Sequence, residues 1–243
     1  LIRTDGPGKA AAAPRVLVII PAFREERSIG AVVRAVREGL GHDVVVIDDG
    51  SPDETASRAR EAGATVLSLP CNLGIGGAVQ TAFLYARGKG YDAVVRIDAD
   101  GQHEAEDIRH VLAPVLSGEA DYCVGSRFLG AGDFRSSLPR RFGIGWFCGL
   151  LRLLTGYRVT DPTSGFFAMN DRTVEFFSHH YPSDYPEADA FVLLHRLGAK
   201  AVEAPVRMYE RTEGKSSITA FRAVYYMVKV TLSLLINALR RFG

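Results

Sequence analysis

Asp98 and Asp100 stand two residues apart, followed by Gly101 and Gln102, directly after the apolar run 93–97. Two carboxylates in one turn can converge on a single hard cation. Mg²⁺ and Mn²⁺ take oxygen ligands and commonly bridge to phosphates, and Gln102 offers a third oxygen. A solvated acidic turn would carry the same residues, so the surroundings decide between the two readings. Asp48-Asp49-Gly50-Ser51 follows a second apolar run, 44–47. An acid there can accept hydrogen bonds from a base or a ribose. Ser51 and Asp53 can also cap the following helix while Asp49 faces a cleft. Pro21-Ala22-Phe23-Arg24-Glu25-Glu26 follows the first apolar run. Pro21 reads as the end of a ladder, and Glu25 or Glu26 as a helix-start acid.

Basic residues gather elsewhere. Arg211-Thr212-Glu213-Gly214-Lys215-Ser216-Ser217 reads as a loop whose cations and hydroxyls suit phosphate, or as a solvated loop. Arg127, Arg135, Arg140 and Arg141 form a second basic stretch, also read as loop. Glu187 and Asp189 can supply a general base or simply start a helix. His103 reads as a hydrogen-bonded neighbour of the aspartates, and His179-His180 as loop. Gly74-Ile75-Gly76-Gly77 lacks the GxGxxG spacing of a dinucleotide loop and reads as the entry to a helix packed on a sheet.

These residues need elements to position them. Short branched runs at 16–20, 44–47, 64–69, 93–97 and 122–125 alternate with helical spacing at 28–40, 74–87 and 108–116. That βα rhythm predicts a largely parallel sheet between helices, and in such sheets ligands sit beyond the carboxyl ends of the strands. The acidic motifs fall at those ends. After Gly125 the rhythm breaks. A turn and short strand are expected over 161–169, a helix over 187–197 and a strand over 201–206. The chain has 243 residues, 47% hydrophobic and 23% charged, with a formal net charge of +1. It is long enough for a large core and too balanced for a general nucleic-acid binder. Three widely spaced cysteines argue against a disulfide framework or a zinc site and fit a reducing compartment. Residues 1–14 read as a loose tail without the apolar stretch of a secretory signal.

The last helix is expected over 218–239. Phe221, Val224, Tyr225, Val228, Leu232, Leu235, Ile236 and Leu239 share one broad side, and Arg222, Lys229, Ser233, Asn237 and Arg240 the other. Beyond Pro205 the chain is strongly basic, with seven Lys and Arg against Glu210 and Glu213. An apolar face with cations opposite fits a helix lying on an anionic lipid surface. Packing on the body or in a dimer fits as well. Residues 223–239 are too few, and include Lys229, to span a bilayer that needs about 20 apolar residues.

Together the motifs resemble family-2 glycosyltransferases of the GT-A fold, and more narrowly the branch acting on dolichyl or polyprenyl phosphate. The resemblance rests on 18–26, Asp48 to Asp53, Asp98 to His103, Gly125-Ser126-Arg127-Phe128, Asp161 to Phe167 and Arg211 to Ser216, which occur in family order. It implies a Rossmann-like α/β sheet and a GT-A domain over 15–217, with 218–243 as an amphipathic appendage. Pro21, Ala22, Phe23, Glu25, Asp49, Asp98, Ala99 and Asp100 would bind the nucleotide-sugar donor. Asp98, Asp100 and Gln102 would hold Mg²⁺ or Mn²⁺. Asp100, Arg127 and Arg211 would be the catalytic group, and Arg140, Arg141, Ser164 and Ser216 would meet the acceptor phosphate. The implied reaction inverts the anomeric centre in one displacement onto a polyprenyl phosphate. That acceptor is already ionised and needs no base. A hydroxyl acceptor would need one, with Glu187 or Asp189 the candidates. The sequence departs from the family in placing Ser217 where the phosphate loop often has Lys, with Lys215 two residues earlier. The expected location is peripheral, on the cytoplasmic face of the membrane, with a membrane-protein partner or a second copy as further possibilities. A non-catalytic, membrane-docked relative is the reading of a different class.

Overall fold

The computed structural model describes residues 13–129, 138–209 and 220–239. Seven strands form one sheet in the order β3-β2-β1-β4-β6-β5-β7. The first half is the expected βα alternation: β1 (Val16–Ala22), α1 (Ile29–Leu40), β2 (Asp43–Asp48), α2 (Thr55–Glu61), β3 (Thr65–Ser68), α3 (Gly74–Ala86), β4 (Ala93–Arg96), α4 (Ile108–Leu116) and β5 (Tyr122–Ser126). Then follow α5 (Leu138–Thr155), β6 (Phe167–Asn170), α6 (Asp171–His180), α7 (Pro186–Leu197), β7 (Ala201–Pro205) and α8 (Ala220–Leu239). All strand pairs are parallel except those of β6, which runs antiparallel between β4 and β5.

Side-chain alternation divides the core. Leu17 and Ile19 of β1 pack with Phe83, Phe147, Phe177 and Phe191 on the face covered by α3, α5, α6 and α7. Val16, Val18 and Ile20 pack with Val33, Val36, Ile108 and Val111 of α1 and α4 on the other. Gly76 lies so close to the 182–183 main chain that a Cβ there would meet the Ser183 carbonyl at 2.3 Å. That close approach accounts for a glycine-rich entry to α3, as expected.

Several local expectations are corrected. Pro21 does not end β1, which runs on to Ala22 with Pro21 opposite Ile47. Ile19 accepts from Ile97 on the β4 side, while Ala22 accepts from Asp49 on the β2 side. Residue 21 therefore points its missing N–H toward β4, whose ladder with β1 has ended at Ile19 and Arg96. Residues 171–180 form a helix, so His179 and His180 lie in its last turn and not in a loop. Arg141 likewise belongs to α5.

The amphipathic pattern expected of α8 is present, and the structure shows which side packs on the body. The side toward the protein is mixed: Tyr226, Met227 and Ala238 pack on the core, Lys229 Nζ lies 3.0 Å from Asp184 Oδ2, and Ser233 donates to Asp189. Val230 and Leu234 are buried beside them, and Arg196 donates to the Asn237 carbonyl. Tyr225, Val228, Leu232, Leu235, Ile236 and Leu239 are left exposed. Exposed Phe142, Trp146 and Leu153 of α5 add to that apolar surface, and Trp146 donates to Thr231 of α8 at 3.0 Å. Among the described residues no helix is long and apolar enough to cross a membrane.

Candidate active site

The parallel strands send their carboxyl ends to one edge of the sheet. The reversal of β6 brings the loop before it, residues 161–166, to that same edge. The acidic motifs, this loop and the N-terminus of α7 meet there.

The nucleotide-side loops are tied to one another. The Glu25 amide donates to Thr55 Oγ1 at 2.8 Å, and the Glu54 amide to Glu26 Oε2 at 3.1 Å. The Arg24 amide donates to Ser51 Oγ at 3.0 Å, so Ser51 fastens this loop and does not cap α2. Asp53 does serve the helix start, accepting from the Thr55 amide. Glu25 Oε2 accepts from Ser28 at the entry of α1. Phe23 is exposed, with the Arg24 guanidinium 5.2 Å from its ring centre. Asp49 is buried and accepts from the amides of Leu73 and Gly74 at 2.7 and 2.9 Å. Its carboxylate thus braces the N-terminus of α3, where the sequence suggested it faced the cleft.

The turn after β4 holds Asp98 and Asp100. Asp100 Oδ1 accepts from the Gln102 amide at 3.1 Å, closing the turn. The Gln102 side-chain amide donates to the Tyr209 carbonyl, and the Tyr209 amide to the Gln102 carbonyl. The chain therefore passes this turn just before residues 210–219. Asp98 is gripped by Arg96, with Nη2 3.2 Å from Oδ1. Burial opposes its ionisation, but Arg96, His103 and Arg127 together outweigh that and hold it below the usual carboxylate range. His103 packs 4.9 Å from the Phe166 ring, and burial lowers its pKa despite the nearby aspartates.

Arg127 is buried against Asp161 in a two-pronged pair, Nε to Oδ2 at 2.5 Å and Nη2 to Oδ1 at 2.6 Å. Thr163 accepts from Nη2 as well. Arg127 thus anchors the 161–166 loop. Ser164 is buried and accepts from the Phe166 amide, shaping the same turn. Glu187, from the first turn of α7, accepts from Arg96 Nη1 at 2.9 Å. Asp189, two residues on, turns the other way and accepts from Ser233 of α8. The structure therefore brings Glu187 to the aspartate turn and removes Asp189 from it, since helix positions two apart do not share a face.

Arg96 escaped the sequence reading. Its signal was a lone charge inside the apolar run 93–97, because a cation buried on a central strand must be paired. Arg135, Arg211, Lys215 and Ser216 lie outside the described residues, as does the Arg140 side chain. Arg141 is exposed on α5.

The donor chemistry suits a divalent ion. Asp98, Asp100, Asp161 and Glu187 bring four carboxylates against the guanidiniums of Arg96 and Arg127. Two negative charges are left. No group of three or more His, Cys, Asp and Glu side chains placed to hold a metal occurs among the described residues. Magnesium sites commonly take only one or two protein carboxylates and complete the shell with phosphate and water.

Residues 17–176 match the family model for glycosyl transferase family 2. The chain belongs to that family. As a family-2 glycosyltransferase it is 31% identical to the undecaprenyl-phosphate mannosyltransferase of Micrococcus luteus, over 89% of this chain and 93% of that protein. It is 26% identical to a UDP-N-acetylglucosamine–dolichyl-phosphate N-acetylglucosaminyltransferase of Methanococcus voltae, over 89% and 96%. These relatives support the polyprenyl-phosphate branch expected from the motifs. Among solved structures, glucosyl-3-phosphoglycerate synthase of Mycobacterium tuberculosis, in complex with Mn²⁺, UDP-glucose and phosphoglyceric acid, superposes with a TM-score of 0.70 at 22% identity. The match covers 95% of this chain and 82% of that one, and shows a shared GT-A fold.

Proposed function

We propose that this glycosyltransferase moves a sugar from a nucleotide-sugar donor to a polyprenyl phosphate, with inversion and with a divalent ion on the donor diphosphate. Asp98 and Asp100 would hold the ion, with Gln102 closing the turn behind them. When bound, Mg²⁺ or Mn²⁺ would offset charge developing on the leaving diphosphate. Pro21 to Glu25 and the Asp49 loop would wall the nucleotide. Arg127 would act through the 161–166 loop that it anchors, a positioning role and not the direct catalytic one suggested by sequence. Arg211 and Ser216, which follow Tyr209 in the chain, would bring positive charge and a hydroxyl to the phosphates.

The observation that carries this reading is the convergence of the aspartate turn, the Arg127–Asp161 clamp and the nucleotide-side loops on one sheet edge, in a chain whose relatives are named for transfer to lipid phosphates. A lipid-phosphate oxygen is ionised before the reaction and asks no base of Glu187, which bonds Arg96. We take 15–217 as the catalytic body and the last helix as its membrane appendage, placing the protein on the cytoplasmic face. The outward apolar side of α8, continued by Phe142, Trp146 and Leu153, supports an interfacial docking mode.

The test is a thermal-shift series with UDP, GDP and their sugars, each with and without Mn²⁺. It is followed by transfer assays on vesicles carrying polyprenyl phosphate. Ligand at about 100 times Kd adds about 2.7 kcal/mol of stability. A metal-dependent shift with one nucleotide, and label in the lipid, is expected. Donor binding with transfer only to a hydroxyl acceptor would replace the lipid reading. No shift with any nucleotide would replace catalysis by the docked, non-catalytic reading.

A further inference from the structure

Arg96 is a feature of the site that neither the motifs nor the proposed roles absorb. It closes β4 with its side chain 3% exposed. One prong reaches Asp98 at 3.2 Å and the other Glu187 at 2.9 Å. The Phe167 ring lies beneath it, 5.7 Å from the guanidinium carbon. The main chain of the 161–166 loop closes the remaining side: a Cβ at Gly165 would stand 2.7 Å from Nη2 and 3.1 Å from Asp98 Oδ1. Arg96 Nε is buried without a well-aligned acceptor, and the buried Tyr181 hydroxyl lies beside the guanidinium. The guanidinium is therefore placed by its two acids and not by saturation of its own donors.

A guanidinium keeps its charge at every accessible pH, so this is a permanent cation against one of the two metal-binding aspartates. A divalent ion arriving alone meets that charge, and meets Asp98 with one oxygen already engaged. An ion arriving on a diphosphate brings compensating negative charge of its own.

We propose that Arg96 is a positioning residue that makes the metal site conditional on the nucleotide: it holds Asp98 oriented for a metal–diphosphate and disfavours the metal alone. This rests on the reading of Asp98 and Asp100 as metal-binding residues. Glu187 then serves as the counter-charge that keeps Arg96 in place, and not as a base.

The experiment titrates Mn²⁺ into the full chain by electron paramagnetic resonance, alone and with saturating UDP or GDP. Wild type should bind Mn²⁺ weakly alone and much more tightly with its nucleotide. A charge within about 4–6 Å moves a carboxylate's proton affinity by one to three pKa units, so Arg96→Gln should tighten nucleotide-free Mn²⁺ binding about tenfold or more. Arg96→Lys keeps the charge and should leave that affinity near wild type. Glu187→Gln unmasks the Arg96 charge and should weaken it further. A merely structural Arg96 predicts the opposite for Arg96→Gln, weaker Mn²⁺ binding with and without nucleotide. Unchanged or weaker nucleotide-free binding in an Arg96→Gln protein that melts cooperatively overturns the proposal. If that variant does not fold, Glu187→Gln decides, and unchanged nucleotide-free affinity there overturns it. Asp100→Asn separates the two levels. If it leaves Mn²⁺–nucleotide binding intact, the metal reading itself fails; if it abolishes binding, the Arg96 outcomes stand on their own.

Discussion

Asp189 gives the sharpest stability test, because a buried acid with one unpartnered oxygen has to show itself in the pH dependence. Its residue is 1% exposed, between α7 and α8. Burial pushes its pKa up to about 6 from an ordinary 3.8, although bonds from Ser233 and Asn237 pull the other way. Oδ1 has no hydrogen-bond partner. Well below pH 4 the group is protonated in both folded and unfolded chains and contributes nothing. Between about 4 and 6 the folded chain holds its proton more firmly, so stability falls as pH rises through that window. Above it the folded protein carries a buried charge at the full penalty, about 3 kcal/mol for a shift of about two units. Asp189→Asn cannot ionise. Whatever the fit of its amide, that offset is the same at every pH. The stability difference between variant and wild type should therefore move by about 3 kcal/mol in the variant's favour from pH 3 to pH 7.5. For a chain of this size that corresponds to a relative gain of roughly 6–12 °C in Tm. Urea unfolding at a series of pH values measures it directly. A difference that stays flat across the window would refute the reasoning, and would mean that water or a rearranged α8 solvates the carboxylate.

Three other outcomes test the rest of the structure. Asp161→Asn strands the buried Arg127 charge and should cost about 3–5 kcal/mol; a urea midpoint near wild type would contradict the clamp. Gly165→Ala inserts a methyl group against Arg96 and Asp98 and should weaken Mn²⁺–nucleotide binding at least tenfold while leaving far-UV dichroism unchanged; wild-type affinity would show that the loop gives way easily. Leu232→Glu with Ile236→Glu alters two exposed positions of α8 and should cut sedimentation with anionic vesicles severely, with Tm nearly unchanged. A large loss of Tm instead, or a change of oligomeric state, would assign that face to protein packing.

Much of the fold was legible because its first half is written in local periodicity. The branched runs of β1, β2 and β4 and the spacing of α1 and α4 leave little choice, and α4 begins and ends where the pattern does. The second half was harder for identifiable reasons. Helix α6 is short and polar on its outer side, and its histidines carry no periodic signal. Pro21 looked like a terminator because the sequence does not reveal which neighbour its missing N–H faces. The aspartate turn was legible as a motif. Its Arg96 partner was not, since pairing across ninety-one residues between Arg96 and Glu187 is a tertiary fact.

The same limit explains why Asp189 was grouped with Glu187, and it locates the meaning of α7. Glu187 and Asp189 look equivalent as candidate bases, but a two-residue step turns them to different sides of one helix. Glu187 reaches the aspartate turn, and Asp189 reaches α8. Helix α8 in turn spends the Ser233 hydroxyl, the Asn237 main-chain carbonyl and the Lys229 ammonium on the body, at Asp189, Arg196 and Asp184, buries Val230 and Leu234 there, and leaves Leu232, Leu235, Ile236 and Leu239 outward. A surface helix in water ordinarily turns polar groups outward, and here the outward side is apolar although Val230 and Leu234 are buried on the inner one. The outward apolar side is the one proposed above to meet lipid, and the helix that carries it rests on the one that delivers Glu187 to Arg96.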